Sequence, residues 1–534
     1  MSVAASALNI PIEESSASPG VNPWLVALVV SMATFMEVLD TSIANVALPH
    51  IAGGLSASTN EATWVLTSYL VSNAIILPAS GWLATVFGRK RFYMTCVALF
   101  AVSSFLCGIA PSLGMLVFFR ILQGLGGGGL APSEQSILAD TFPPAKRGMA
   151  FALYGVAVVV APAVGPTLGG WITDNSSWRW VFFINVPVGV LSLFLTHILV
   201  KDPAHVVRER KERMKNGIKA DFIGFAMIAL GLGCLQIVLD KGQELDWFSN
   251  LFILILSIVA AGSLIFGCLA EWFSADPVVE LKLLKRRTLL IANFTMFMLG
   301  IVLFGSTVLL PLFVQELLGY TATLAGLVLT PGGFFVMLLM PLVGFLVSRV
   351  QARYLVAFGL TLSALALYHL TTLDLNADYK TLVWDRIFQT SGLAFLFVPI
   401  NTAAYTEVPP EKNNNFSALL NLCRNLGGSV GISIAQAWVV RRRQFHQTVL
   451  SSHLTPYSSQ FASATHQIAQ RFHNTGASAL HAAYRVIENQ VQRQAGAMAY
   501  IDVFYVMAIL CAITIPFAFL MKRNKPGGGP AMAH

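Results

Sequence analysis

The chain has 534 residues, 55% of them hydrophobic and only 11% charged, with a net charge of +8. A water-soluble domain carries about 25% charged residues, so a mean hydropathy of +0.68 excludes a soluble enzyme and indicates a polytopic membrane protein. The positive charge does not point to nucleic acid, because the Lys and Arg residues sit between the apolar runs, where membrane topology places them.

The apolar runs are each about 20 residues long, enough to cross about 30 Å of hydrocarbon as a helix. The short, strictly alternating segments of a membrane barrel are missing. Residues 1–23 are polar, acidic and Ser-rich without a basic leader, and read as a disordered cytoplasmic tail. The pattern then predicts fourteen spans, at about 24–48, 62–84, 92–110, 113–139, 147–172, 180–200, 221–239, 250–273, 289–314, 322–348, 353–373, 381–405, 414–439 and 497–521. With the N-terminus inside, 22 basic residues fall in cytoplasmic segments and nine outside, six of those nine in the long segment 440–496. The positive-inside rule therefore predicts an even number of spans with both termini cytoplasmic.

In the first apolar run, Glu37 and Asp40 sit with no Lys or Arg before residue 89. A carboxylate in hydrocarbon costs about 2.5–3.5 kcal/mol even on the lenient insertion scale, so two of them imply a use. Their i, i+3 spacing puts them on one helix face, near mid-membrane at about 1.5 Å per residue. Paired carboxylates in a low dielectric resist double ionisation. Such a pair suits a site that takes up a proton from one side and releases it to the other, and it can attract a cation.

Within 113–139 lie Arg120, Gln123-Gly124 and the run Gly126–Gly129, with Glu134 after Pro132. An intramembrane Arg faces a protein interior or a water-filled cavity. There it either helps a nearby carboxyl release its proton or bonds backbone carbonyls. Glu134 is read as a second titrating group or as an interfacial carboxylate. The run 147–172 carries Gly155, Pro162, Gly165, Pro166, Gly169 and Gly170, small and bending residues that permit tight helix packing.

Arg120-Ile121-Leu122-Gln123 matches Arg386-Ile387-Phe388-Gln389, and Pro143-Pro144, Lys146 and Gly165 match Pro409-Pro410, Lys412 and Gly431, all at an offset of 266. Parallel repeats that rock about a midplane site are a transporter signature. The offset exceeds one half, which implies a six-plus-two-plus-six plan. It comprises an N-terminal bundle over 24–200, a basic linker over 201–220, two additional helices over 221–273, a C-terminal bundle over 274–521 and a tail over 522–534. Segment 440–496, rich in Gln, Ser and His, is expected to lie on or project from the extracytoplasmic surface, as linkage or as a docking element. In Arg386 the second half keeps its intramembrane cation, and the adjacent Asp385 suggests an ion pair.

These residues resemble the fourteen-helix drug:proton antiporter branch of the major facilitator superfamily, and most closely its EmrB-type exporters. The resemblance rests on Leu39-Asp40-Thr41 through Pro49, Trp178-Arg179-Trp180 through Asn185-Val186-Pro187, Leu239-Asp240-Lys241-Gly242 through Phe248, and Gln315-Glu316 with Gly319–Thr323. The stretch from Gly81 through Gly88 and Arg89 to Arg91 is similar to the superfamily's cytoplasmic gate motif, without the acid usual at the place of Thr85. The resemblance implies an all-α major facilitator fold and a proton-coupling role for Asp40 and Arg120. It also implies an extracytoplasmic seal from the Gly/Pro run, which favours export over uptake.

The function implied is efflux of amphipathic drugs from the inner membrane, driven by the proton gradient with no cofactor. The resemblance further implies a periplasmic adaptor and an outer-membrane channel as partners. A dedicated exporter of one metabolite, such as a fatty acid or siderophore, would work in the same way. The expected substrate cavity is lined by Asn293, Phe297, Asn401, Tyr405, Asn421 and Asn425. No phosphate-binding GxxxxGK[ST] occurs, so ATP is not expected to drive transport directly. Of the readings from another class, a membrane enzyme is disfavoured because no nucleophile or His/Cys/Asp cluster lies in any span, and a non-transporting sensor would be expected to carry a soluble signalling domain. The six cysteines lie inside apolar runs without metal-ligand spacing and read as packed thiols.

Overall fold

The structure is a computed structural model that describes residues 20–215, 221–455, 457–471 and 477–522. The far ends of both expected tails and the end of the basic linker lie outside the described residues. The first half contains α1 (Pro23–Gly54), α2 (Thr59–Phe87), α3 (Arg89–Gly108), α4 (Leu113–Thr141), α5 (Pro144–Asn175) and α6 (Trp180–Leu199). A linker helix, α7 (Ala204–Lys215), leads to α8 (Phe222–Lys241) and α9 (Leu251–Phe273). Then come α10 (Arg287–Leu318), α11 (Thr323–Val347), α12 (Ala352–Thr372) and α13 (Tyr379–Tyr405). The chain ends with α14 (Asn413–Ser452), α15 (Ser459–Ala469) and α16 (Ser478–Phe519).

Local chemistry fixes the starts. Asn22 caps α1 by accepting from the Trp24 amide, with Pro23 at the first helical position. Ser58 and Glu61 form a reciprocal capping box at the start of α2. Gly88 separates α2 from α3 at φ +91°, a conformation that side chains with a Cβ rarely adopt.

Thirteen helices among the described residues are long and apolar enough to span a membrane. The remaining expected span is the inner part of α14, whose asparagines and Arg424 lower its hydropathy. Packing identifies it instead: α14 is held by α10, α16, α2 and α4. A helix enclosed by protein does not need an apolar surface. Segment 440–496 differs from a loop. α14 continues to Ser452 and α16 begins by Ser478, so two of the spanning helices extend out of the bundle with α15 between them.

In the first half α1 packs on α5 and α6, and α4 on α2 and α3; in the second half α10 packs on α14, and α13 on α11 and α12. The halves meet along α5–α11 and α2–α14. Close approach is set by missing side chains. A Cβ on Gly165 would lie 2.4 Å from Ser42 Oγ and 2.5 Å from its Cβ, so α5 and α1 touch backbone to side chain there.

Gly165→Ala is therefore expected to destabilise the folded protein by about 1–3 kcal/mol through overpacking. Gly53→Ala, whose Cβ meets nothing within 4 Å, should be neutral or stabilising. Melting temperatures of the two detergent-solubilised variants check this.

Candidate functional site

The first segment of α4 buries Leu116, Arg120, Gln123 and Gly124, one stripe at helical spacing. This stripe carries the guanidinium of Arg120 into the first half, where both it and Asp40 have no exposed surface. Arg120 Nη1 donates to Asp40 Oδ2 at 2.5 Å and to Gln123 Oε1 at 2.8 Å, and Nε donates to the Val65 carbonyl at 3.0 Å. The other Asp40 oxygen accepts from Gln123 Nε2 at 3.0 Å and from Asn185 Nδ2 at 2.7 Å. Asn185 also donates to Ser104 Oγ at 3.0 Å. One carboxylate thus ties together α1, α2, α3, α4 and α6. A buried ion pair is tenable when most of its remaining donors and acceptors are met; both Asp40 oxygens are met, while Arg120 Nη2 has no hydrogen-bond partner among the described residues.

Glu37 belongs to a second network. It accepts from Asn73 Nδ2 at 3.1 Å and from Tyr69 OH at 3.4 Å, with no ion-pair partner among the described residues. The Tyr69 ring lies under Arg120, 4.4 Å from the guanidinium carbon. The expected carboxylate pair is therefore two separate sites joined through one tyrosine.

Glu37 lines a cavity of about 150 Å³ between the halves, with Thr34, Thr41, Tyr69 and Asn73 on one wall and Arg424, Asn425 and Ser429 on the other. Gln236 of α8 completes it, with Leu77, Phe304 and Leu422 supplying apolar surface. Arg424 bonds Asn425 Oδ1 at 3.3 Å through Nε and Nη2. Its Nη1 has no hydrogen-bond partner among the described residues. A concave, mostly apolar site with a few convergent polar groups is the usual form of a small-molecule site.

Beside the cavity, α4 breaks at Gly128–Gly129 and resumes as Leu130–Thr141, buried at nearly every residue. Glu134 is wholly buried there; it accepts the Thr34 hydroxyl and has no ion-pair partner among the described residues. It is therefore neither interfacial nor reaching for solvent. Further along, Asp140 joins three parts of the chain. It pairs with Arg89, accepts from Asn413 Nδ2 at 2.7 Å, and lies 3.5 Å from His205 Nε2 on the linker helix. The acid missing at Thr85 is supplied from α4, so Arg89 has a charge partner after all.

The halves are also bonded near this end through Ser136 with Ser417 at 2.8 Å and Asn421 with Gln135 at 2.8 Å. Arg147 adds a bond to the Tyr405 carbonyl at 3.3 Å, and the Tyr405 hydroxyl bonds Ser417. Gly81 fits against the Cα of Asn415, where a Cβ would come within 2.7 Å. On the linker helix at this end, burial lifts the Glu209 carboxyl above its ordinary range, while Arg213 opposes the shift.

The other residues named from sequence fall into three groups. Asn425 lines the cavity, whereas Asn421 and Tyr405 belong to the bonds that close this end. Asn293, Phe297 and Asn401 are not among the cavity's lining residues, and the two amides donate to carbonyls of their own helices, Leu289 and Phe397, at 2.8 Å. Within the Gly/Pro run, Gly165, Gly169 and the Pro162 carbonyl face Ser42 and Ile43 of α1. Gly155, Pro166 and Gly170 face the second half, at Phe397, Gly326 and Thr323. Arg386 does not pair with Asp385. It donates to Gln389 Oε1 at 2.8 Å and Thr307 Oγ1 at 3.1 Å, while Asp385 bonds His369 Nδ1 at 2.9 Å.

The sequence that builds this architecture matches a known family. A sequence profile of the Major Facilitator Superfamily matches residues 30–432. The chain belongs to the Major Facilitator Superfamily. It is a multi-pass secondary transporter of the EmrB type. It is 39% identical to the multidrug export protein EmrB of Escherichia coli over 81% of this chain and 83% of that one. It is 36% identical to the fatty acid resistance protein FarB of Neisseria gonorrhoeae over 94% of this chain and 97% of that one. The fold matches the human organic anion transporter MFSD10 with a TM-score of 0.59 at 13% identity, covering 94% of this chain and 100% of that one. It also matches the proton:xylose symporter XylE, with a TM-score of 0.60 at 14% identity, covering 94% of this chain and 97% of that one.

Sequence reasoning alone misses Tyr69, Asn73, Asp140, Arg424 and Gln236 as members of this major facilitator site. Arg424 and Gln236 each carry a readable signal, a polar side chain inside a span. Asp140 carries none, because it lies at the end of its run.

Removing one partner of a buried pair strands the other and costs about 3–5 kcal/mol. Asp40→Asn is thus expected to lower stability by that order. Arg120→Gln added to Asp40→Asn should recover part of the loss, measured as a coupling energy in a double-mutant cycle of thermal unfolding.

Proposed function

We propose that this chain is a proton-coupled efflux antiporter for amphipathic compounds, working by alternating access between its two halves in the inner membrane. The observation that carries the reading is Asp40, a fully buried carboxylate held by one guanidinium and two amides, one turn from the cavity residue Glu37. With the basic loops cytoplasmic, as the charge asymmetry predicts, both termini are inside and the bonded end around Asp140 faces the cytoplasm. The cavity then receives protons from the outside.

A proton arriving on Asp40 removes the negative charge that holds Arg120. Arg120 keeps its bonds to Gln123 and Val65, but the link to α1 is lost, and α1 is freed to move against α4. Return of the proton to the cytoplasm restores the pair. Glu37, reached through Tyr69, offers an anionic wall to a cationic compound, so that substrate and proton compete for carboxylates within one connected network. Glu134 is a further carboxyl for proton transfer between this network and the Asp140 end. The proton gradient supplies the energy, with no cofactor. The cavity of about 150 Å³ is smaller than the roughly 300–1,000 Å³ of a drug-sized site, which fits a site that widens as the halves part. By likeness to the EmrB relatives, the expected partners are a periplasmic adaptor and an outer-membrane channel, with the projecting ends of α14 and α16 as the part that reaches toward them.

A second reading is a dedicated exporter of a carboxylate-bearing lipid. The guanidinium of Arg424 on the cavity wall favours it, and a relative named for fatty acid resistance is in keeping with it.

Efflux of ethidium from proteoliposomes under an imposed pH gradient tests the main reading. The parent should move the dye with the gradient and Asp40→Asn should lose nearly all of that movement. Gradient-driven efflux that survives Asp40→Asn would remove Asp40 from the coupling role, and movement without a gradient would overturn antiport. Fatty acid efflux that is lost in Arg424→Gln, with ethidium never moved, would select the second reading.

A further inference from the structure

The two additional helices sit unequally. α9 packs mainly on α8, whereas α8 packs on α2 of the first half and also reaches α14 of the second. Its attachment to α2 runs along its whole length. At one end Asp240 accepts the Thr67 hydroxyl, Lys241 donates to Thr63, and the Lys241 ammonium lies 5.6 Å from the Trp64 ring centre. In the middle Gly233 lies against Ile75, 3.2 Å from where its Cβ would be. At the other end Phe222 meets Trp82 edge to face at 6.0 Å.

Toward α14 the contact is of another kind. It consists of an apolar cluster that joins Ile228 and Leu232 to Leu422 and Leu426, and in which Leu77 of α2 also takes part, with one hydrogen bond, Ser429 Oγ to Gln236 Oε1 at 2.9 Å. Leucine contacts have no direction and can slide, whereas polar ties and fitted aromatic edges fix a position. Gln236 is also a cavity residue, and its amide nitrogen has no hydrogen-bond partner among the described residues.

We propose that α8 is a moving wall of the transport cavity. It travels with the first half as an added member, closes the side between α2 and α14, and presents Gln236 as a donor to the substrate. The Gln236–Ser429 bond is the contact that parts when the halves rock. The proposal rests on the alternating-access reading above. It assigns to the cavity amphipathic compounds that carry a hydrogen-bond acceptor, such as a carbonyl or ether oxygen, because a free amide donor discriminates for that group.

Spin labels at exposed positions test the movement in the full chain in nanodiscs, with the native cysteines replaced. One pair, Leu230→Cys with Phe87→Cys, joins α8 to the first half. A second, Leu230→Cys with Ile434→Cys, joins it to the second half, and a third, Val102→Cys with Ile513→Cys, spans the halves without α8; all these positions are exposed. Between acidic and alkaline pH, the first distance should stay fixed while the second and third shift. A shifted first distance, or a fixed second with a shifted third, overturns the moving wall. A third distance that never shifts overturns the rocking itself, and the wall with it.

Gln236→Ala tests the contact. In proteoliposomes it should lower efflux of rhodamine 6G, which carries ester and ether oxygens, several-fold relative to tetraphenylphosphonium, which carries no acceptor. An unchanged ratio of the two probes removes Gln236 from the substrate site. A merely structural glutamine would lower both alike.

Discussion

A single ion pair in the membrane interior sets the terms for the first half. Arg120 and Asp40 are removed from water entirely, and neither charge is tolerable alone at that depth. The glutamine, asparagine and backbone carbonyl around them satisfy further donors and acceptors, which is what makes the pair tenable. This requirement gathers side chains from four helices and a backbone carbonyl from a fifth, and fixes the register of α1 against α4. The same requirement makes the whole set depend on one carboxylate.

Tyr69 extends this set of contacts beyond its own cage. Its ring faces the guanidinium and its hydroxyl faces Glu37, so the ion pair and the cavity share a side chain. Two separate sets of polar contacts lie along the buried half of α4, Glu134 with Thr34 and Asp140 with Arg89, Asn413 and His205. α4 is interrupted by glycines between Arg120 and these two sets. A helix broken at that place can shift one segment while the other is held.

Much of this is legible in the sequence, and for a physical reason. Charges in hydrocarbon are so costly that their positions stand out, and Asp40, Glu37, Arg120 and the basic loops emerge in that way. The fourteen-helix plan comes from length and charge placement. One helix escapes the hydropathy criterion because α14 hides its asparagines against other helices. Partnerships across helices are not legible. Sequence spacing puts Glu37 with Asp40 and Arg386 with Asp385, yet Asp40 pairs with Arg120, eighty residues away, and Asp385 with His369. Neighbours on one helix face share a direction but not a partner. The amides Asn293 and Asn401 look like ligand contacts in a string of letters and prove to be bonded to their own backbones.

The two long helices that leave the bundle have a mechanical consequence. α14 has 40 residues, about 60 Å at 1.5 Å per residue, while the hydrocarbon it crosses is about 30 Å thick. It is pivoted inside the membrane by its packing on α2 and α10, and its far segment runs beside α16, to which Asp502 binds it through Arg442 at 2.5 Å and His446 at 2.7 Å. A rod held at one end amplifies rotation at the other. A tilt of the second half by a few degrees, hardly visible around the cavity, becomes a displacement of several ångströms at the tip. Any change in tilt of the second half would thus be larger at the tip of the projection than around the cavity.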